Sequence, residues 1–404
     1  MRAYERLLNY VKIYTTSDDE TGTTPSTARQ FDLAKLLVGE MKEMGIADAR
    51  VDENCNVYGT VPATPGLEDR KGLGFIAHLD TAPDCCGENV NPQVWENYDG
   101  GELEIGNGLK LTPAMFPHLP KLAGRTLITS DGSTLLGADD KAGIAEIMTL
   151  AEQLLAGGMP HGKICLAFTP DEEIGGGAET LDLDAFGAAY AYTVDGGCET
   201  ELSYENFNAA EAVFKIRGVS VHPGDSKDTM INASLVACEI NAALPAMDIP
   251  ARTEGYEGFF HLCDISGNVE NAKLTYIVRD HSLENFNARC ELLRHIEKCM
   301  NERYGAGTVE LVLKDQYRNM IEKIRPCKEL IDYAKEAIRE AGSEPVVEPI
   351  RGGTDGAQLS FRGLPCPNLG TAGYAFHGPY EHITAEGMDF VVEVLKGITK
   401  KFSK

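Results

Sequence analysis

The chain has 404 residues, 43% hydrophobic and 25% charged, a composition ordinary for a globular protein and one that excludes wholesale disorder. A formal net charge of −25 repels phosphate backbones and anionic headgroups, so nucleic acid and membrane surfaces are excluded as partners and small solutes are favoured. No apolar run is long enough to cross a bilayer, and the first residues run straight into an amphipathic helical pattern rather than a targeting segment. The 11 cysteines include no Cys-x-x-Cys pair, and only Cys85 and Cys86 are adjacent. Reduced thiols, and so the cytoplasm, are the expectation.

In chain order, Phe31, Ala34, Val38 and Met41 recur at helical spacing ahead of Gly45, which predicts a helix over 25–44. Apolar runs over 72–78, 163–168 and 189–194 have the character of strands covered on both faces. Between the first two, Ile144, Ile147, Met148, Ala151 and Leu155 mark a helix. Strand, helix and strand in that order predict an α/β fold with a mostly parallel sheet and helices on both faces. From about residue 206 the pattern changes to strand 209–216, helix 230–244, strands 259–265 and 272–278, helix 283–300 and strand 308–313. This βαββαβ order predicts an inserted ferredoxin-like α+β domain over 206–317, with 1–205 and 318–404 forming the first domain. Helices over 327–341 and 388–402, with an extended stretch at 345–350 between them, resume the alternation.

The residues that carry chemistry gather at strand ends, where open α/β sheets place their ligand crevice. His78-Leu-Asp80 puts two polar side chains on one face of a strand, so that Asp80 can orient His78 as a metal ligand or merely pair with it. Asp139-Asp140 opens the helix after 137, a position for ligands or for a plain cap. Asp171-Glu172-Glu173 ends a buried apolar strand, where acids are costly unless a positive charge neutralises them or the turn is solvated. Asp195 ends a third such strand, and His377-Gly-Pro-Tyr-Glu381-His382 lies in a distant polar loop. Arg351, within Arg351-Gly-Gly-Thr-Asp-Gly356, offers a planar fork for a carboxylate.

On Thr134–Met148, Ala167–Glu173, Thr253–Phe259 and Ile350–Ser360 the sequence resembles the co-catalytic dizinc exopeptidases and deacylases, and within them the tripeptide aminopeptidases, over essentially the whole chain. The resemblance implies His78 and Asp195 as ligands of one Zn2+, Glu173 and His377 as ligands of a second, and Asp140 as the carboxylate shared by both, followed by a cis bond at Asp140-Lys141. Asp80 is then the partner of His78, and Glu172 the general base that moves a proton from water to the leaving amine. His222, in the inserted lid and dimerisation domain, is implied to stabilise the oxyanion; as a plain residue it would only precede Pro223 in a turn. Arg279 and Arg351 are the expected holders of the peptide's carboxylate. Co2+ or Mn2+ suit the same donors, and a homodimer is the expected assembly. A related dipeptidase, carboxypeptidase or N-acyl amino acid deacylase would use the same ligands, and a binding protein that has lost catalysis would keep the fold.

Overall fold

Leu73–His78, Ile164–Thr169 and Tyr190–Gly196 form the centre of a seven-stranded sheet in the computed structural model, which describes residues 1–404. They pair in parallel, and Asn368–Gly370 joins them in parallel beside Tyr190–Gly196. Val57–Val61 adds antiparallel to Ile164–Thr169, and the short strands Arg50–Val51 and Leu202–Ser203 close the two edges. Every residue of Leu73–His78 and Ile164–Thr169 is buried, which is why these runs are almost continuously apolar.

Alternation along each strand sends successive side chains to opposite faces, and both faces carry helices. The helix Ala138–Leu155 packs on Leu73–His78 and Tyr190–Gly196, with Ala3–Tyr10 and Ala385–Phe402 against it. It approaches so closely that a Cβ at Gly143 would collide with the Val194 carbonyl oxygen, which explains the glycine there. On the other face Ala178, Leu181, Phe186, Leu359 and Leu364 cover Ile76, Ala167 and Ala191.

The helix expected over 25–44 begins only at Gln30 and runs to Met44. The residues before it are used otherwise. The Ser26 N–H and Oγ donate to Asp171 at 2.7 and 2.5 Å, and Gln30, the first residue of the helix, donates from Nε2 to the same carboxylate at 2.6 Å.

The chain divides into two compact units, 1–204 with 320–348 and 354–404, and 205–319 with 349–353. In the second, Asn208–Arg217, Phe259–Gly267, Asn271–Asp280 and Val309–Tyr317 form an antiparallel sheet. Its spatial order is Phe259–Gly267, Asn271–Asp280, Asn208–Arg217, Val309–Tyr317. With the helices Ala233–Ala242 and Leu283–Tyr304 this is the ferredoxin-like arrangement, and Phe214, Leu274, Tyr276, Val236, Phe286 and Leu293 share its core. The expected boundaries need one correction, because residues 349–353 belong with this unit rather than with the first. The Ile350 N–H donates to the Glu205 carbonyl at 2.8 Å, and His281 Nε2 lies 3.1 Å from the Ile350 carbonyl, so the return strand is tied here. No helix is long and apolar enough to cross a membrane.

Candidate metal and catalytic site

Parallel strands deliver their carboxyl ends to one side of the sheet, and the polar residues of the first unit collect there. His78 ends its strand, Asp195 lies near the end of Tyr190–Gly196, and Glu172 and Glu173 form the short turn after Ile164–Thr169. His78 Nδ1 lies 3.0 Å from the main-chain oxygen of Asp80, an atom that can only accept, so this nitrogen carries the proton. The Asp80 carboxylate sits farther off at 3.4 Å and instead accepts the backbone N–H groups of Glu172 and Glu173 at 3.0 and 3.2 Å. Asp80 thus orients the imidazole and the acidic turn together.

His78 Nε2 then faces two carboxylates, Asp139 Oδ1 at 3.0 Å and Asp195 Oδ1 at 3.5 Å. His377 Nε2 faces Asp139 Oδ2 at 3.3 Å and Glu173 Oε2 at 3.0 Å. Asp139 therefore joins the two imidazoles, one carboxylate oxygen to each. This corrects the expectation for Asp140, which is fully buried and points back into the protein. Its Oδ2 accepts the His78 N–H at 3.0 Å and its Oδ1 the Gly143 N–H at 3.3 Å. The cis bond is correspondingly Asp139-Asp140, not Asp140-Lys141. The helix is not regular at this point, with ψ of 107° at Asp139 and 31° at Asp140, and that kink turns the two acids apart.

The donor set fits cations. An unprotonated Nε2 facing carboxylate oxygens at these distances needs a proton or a metal between them, and Glu173 Oε1 is buried with no hydrogen-bond partner. Two groups have donor atoms within 4.8 Å of one another, His78 with Asp139 and Glu173, and His78 with Asp140 and Asp195. Asp139 is the freer of the two aspartates, since both Asp140 oxygens already accept backbone N–H groups.

Electrostatics agree. Burial pushes the Glu173 carboxyl up to about 7 and that of Asp195 up to about 6. Burial, then the Asp195 charge, raises Glu172 as well. His377 is held up at about 11 by hydrogen bonds to Asp139 and then Glu173. In the metal-free protein Glu173 and His377 both bind protons more tightly when folded than when unfolded. Their stabilising protons are lost as pH rises through about 7 and about 11. Chelator-treated protein is therefore expected to melt at progressively lower temperature between pH 5 and 7, above which Lys141, lowered by burial to about 7, opposes the His377 contribution. Added metal should restore the melting temperature by an increment that grows with pH, since binding displaces those protons. A melting temperature that rises over this range would count against the assignment.

Glu381 is a determinant that the pattern of acids and histidines did not reveal. It is 1% exposed, and its Oε2 accepts the Leu136 and Gly137 N–H groups at 2.8 and 2.7 Å while Oε1 accepts the Asp139 N–H at 3.0 Å. Its signal lay within the polar His377–His382 loop, of which the sequence reading singled out only His377. Glu381→Ala strands these buried donors at about 1–3 kcal/mol each. A loss of about 3 kcal/mol in stability, with weaker metal retention, is expected in denaturant melts and metal analysis. Asp355 is a second such residue, 3% exposed, accepting from Thr169 Oγ1 and the Ala178 N–H at 3.0 Å each and so bracing the segment after Glu173.

In the second unit, His222 has a side chain 79% exposed and caps a short turn at Pro223–Asp225, its Nδ1 accepting the Gly224 N–H at 3.1 Å. The Nε2 nitrogen is left for a partner. Arg351 does not offer an open fork, which corrects its expected role. Its Nη1 donates to the Gly255 and Glu257 carbonyls at 2.6 and 3.0 Å, and Nη2 to Thr253 O and Oγ1 at 3.3 and 3.0 Å. The guanidinium lies over the Phe207 and Phe259 rings and holds the 253–257 loop. Arg279 donates from Nη1 to the Arg351 carbonyl at 3.2 Å, and its Nε is buried without a partner.

A parallel-centred α/β sheet with two imidazoles and a carboxylate between them at its strand ends defines the class as a metal-centred hydrolase, and the chain belongs to the peptidase family M20/M25/M40, whose model matches residues 135–401. Among curated relatives it is 51% identical over 404 residues to Peptidase T of Clostridium perfringens (strain 13 / Type A), covering 100% of this chain and 99% of that protein. Peptidase T of Desulfitobacterium hafniense (strain Y51) is 51% identical over 403 residues, 99% of this chain and 98% of that one. The fold matches the crystal structure of aminopeptidase PepT from Bacillus cereus ATCC 10987 with a TM-score of 0.79 at 20% identity, over 100% of this chain and 98% of that one. It also matches a dinuclear metal-binding M20 peptidase of Bacillus subtilis, with a TM-score of 0.65 at 15% identity over 98% of each.

Proposed function

We propose that the chain is a metal-dependent aminopeptidase that removes the N-terminal residue from tripeptides. The observation that carries this reading is the Asp139 carboxylate set between His78 and His377, with Glu173 and Asp195 beside them. The substrate class is supported by the full-length relatives named Peptidase T.

His78 and Asp195 would hold one ion, Glu173 and His377 a second, and Asp139 both. Two imidazoles with carboxylates and no thiolate suit zinc, and admit cobalt or manganese. When bound, the ions supply the positive charge that acidifies a water and polarises the scissile carbonyl. Glu172 then takes the proton from that water and delivers it to the leaving amine. Its burial-raised carboxyl suits a group that must both accept and release a proton near neutral pH. Asp80 fixes the turn that aims Glu172 and keeps His78 in the tautomer whose Nε2 faces the ions. His222 supplies an N–H to the developing oxyanion, and its free Nε2 supports that role. Arg279 holds the peptide's carboxylate, supported by its unpartnered Nε. The second unit is proposed as the lid and as the face of a homodimer, on the strength of its exposed edge strand Phe259–Gly267. A cytoplasmic location is supported by cysteines that are all free.

An aminopeptidase recognises a free ammonium group. A tripeptide is therefore expected to be cleaved and its N-acetylated form left intact, as read by chromatography of the products. Equal cleavage of both would replace this reading with a deacylase or a carboxypeptidase.

A further inference from the structure

The loop from Asp80 to Gly87 borders the crevice and is pinned at both ends. At one end the Asp80 carboxylate holds the N–H groups of Glu172 and Glu173. At the other the Cys86 carbonyl accepts the Leu135 N–H at 3.1 Å, next to the residues that Glu381 clamps. Gly87 cannot shift inward, because a Cβ there would lie 2.6 Å from Thr16 Oγ1 and 3.0 Å from Thr81 Oγ1. Between the pinned ends, Asp84 brings a carboxylate oxygen to 3.8 Å from His377 Nδ1. Directly after it come Cys85, half-buried, and Cys86, exposed, both free thiols.

Neighbouring Cα atoms stand about 3.8 Å apart across a trans peptide, below the roughly 4.4 Å minimum usual for a disulfide. A direct S–S bond between them is therefore disfavoured. A single larger thiophilic atom inserted between the sulfurs relaxes that restriction, because two bonds to a shared atom span more than one S–S bond does.

We propose that Cys85 and Cys86 form a chelating dithiol site for a thiophilic trivalent centre of the aryl arsenical class, and that filling it disables the crevice by displacing the Asp80–Asp84 segment. With phenylarsine oxide the step balances without redox change. Two S–H bonds break, two As–S bonds form, and the oxide oxygen leaves with both protons as one water. The effect on activity rests on the proposed peptidase reading, whereas occupancy of the dithiol does not.

The test treats the metal-loaded protein with phenylarsine oxide and follows intact mass and tripeptide turnover together. Wild type should retain one adduct in the presence of 2-mercaptoethanol and lose it to 2,3-dimercaptopropanol. Turnover should fall with the adduct by on the order of a hundredfold, the effect of misplacing reacting groups by about an ångström, and return when it leaves. Cys85→Ser, Cys86→Ser and the double variant should keep basal turnover, hold no monothiol-resistant adduct and resist inhibition. An adduct of equal persistence in the double variant would overturn the site. An adduct on the pair with unchanged turnover would overturn the coupling. Untreated protein with no peptidase activity would instead sink the functional reading, while the mass measurement still judges the dithiol.

Discussion

Glu172→Gln is expected to retain its metal and its fold while losing about two to four orders of magnitude in kcat on a tripeptide, the usual contribution of a general base. The substitution keeps the size of the side chain and removes only its capacity to take a proton. The turn that carries residue 172 does not depend on that side chain. Its backbone N–H is held by Asp80, and Asp171 before it, at φ 58°, is anchored to Ser26 and Gln30. Glu173, by contrast, contacts His377 and keeps a buried unpaired oxygen, so Glu173→Gln should lower metal content. Steady-state rates paired with metal analysis separate the two glutamates. If Glu172→Gln turns over at the wild-type rate, or loses its metal along with its rate, the roles given to these neighbours are wrong.

Asp139→Ala should be the most damaging single change in the crevice. It removes the carboxylate that meets both imidazoles, so both proposed ion positions would lose a ligand at once. Metal affinity should fall by more than the roughly tenfold to hundredfold that follows loss of an outer hydrogen-bond partner, and turnover should fall with it. Asp140→Asn is the contrast. An amide oxygen still accepts the His78 N–H, so metal should be largely retained and the loss should appear as reduced stability. Titration of each apo-protein with zinc decides between them. Normal binding by Asp139→Ala together with failed binding by Asp140→Asn would return the shared-ligand role to Asp140.

The difference between these two aspartates marks how far local pattern reaches. Apolar runs identified the three central strands, and acids or imidazoles at their ends identified the crevice, because burying such groups without a counter-charge is costly. Which member of Asp139-Asp140 faces the crevice depends on the kink that starts the helix, and residue identity does not encode it. Arg351 failed for a related reason. An arginine beside glycines suits a ligand's carboxylate or a loop's carbonyls equally well, and the 253–257 loop that claims it lies about a hundred residues earlier. Ser26 was read as part of a longer helix because its partner Asp171 is likewise remote in sequence.

By itself the sequence determined the α/β class, the inserted βαββαβ unit and the strand ends where the acids and His78 gather, since periodicity and the burial of apolar runs are local properties of the chain. Only the tertiary structure decided that Asp139 joins the two imidazoles, that Glu381 holds its backbone and that residues 349–353 side with the second unit. Each of those outcomes is a hydrogen bond or ion pair between groups far apart along the chain, whose geometry exists only once the strands and the loop have been brought together.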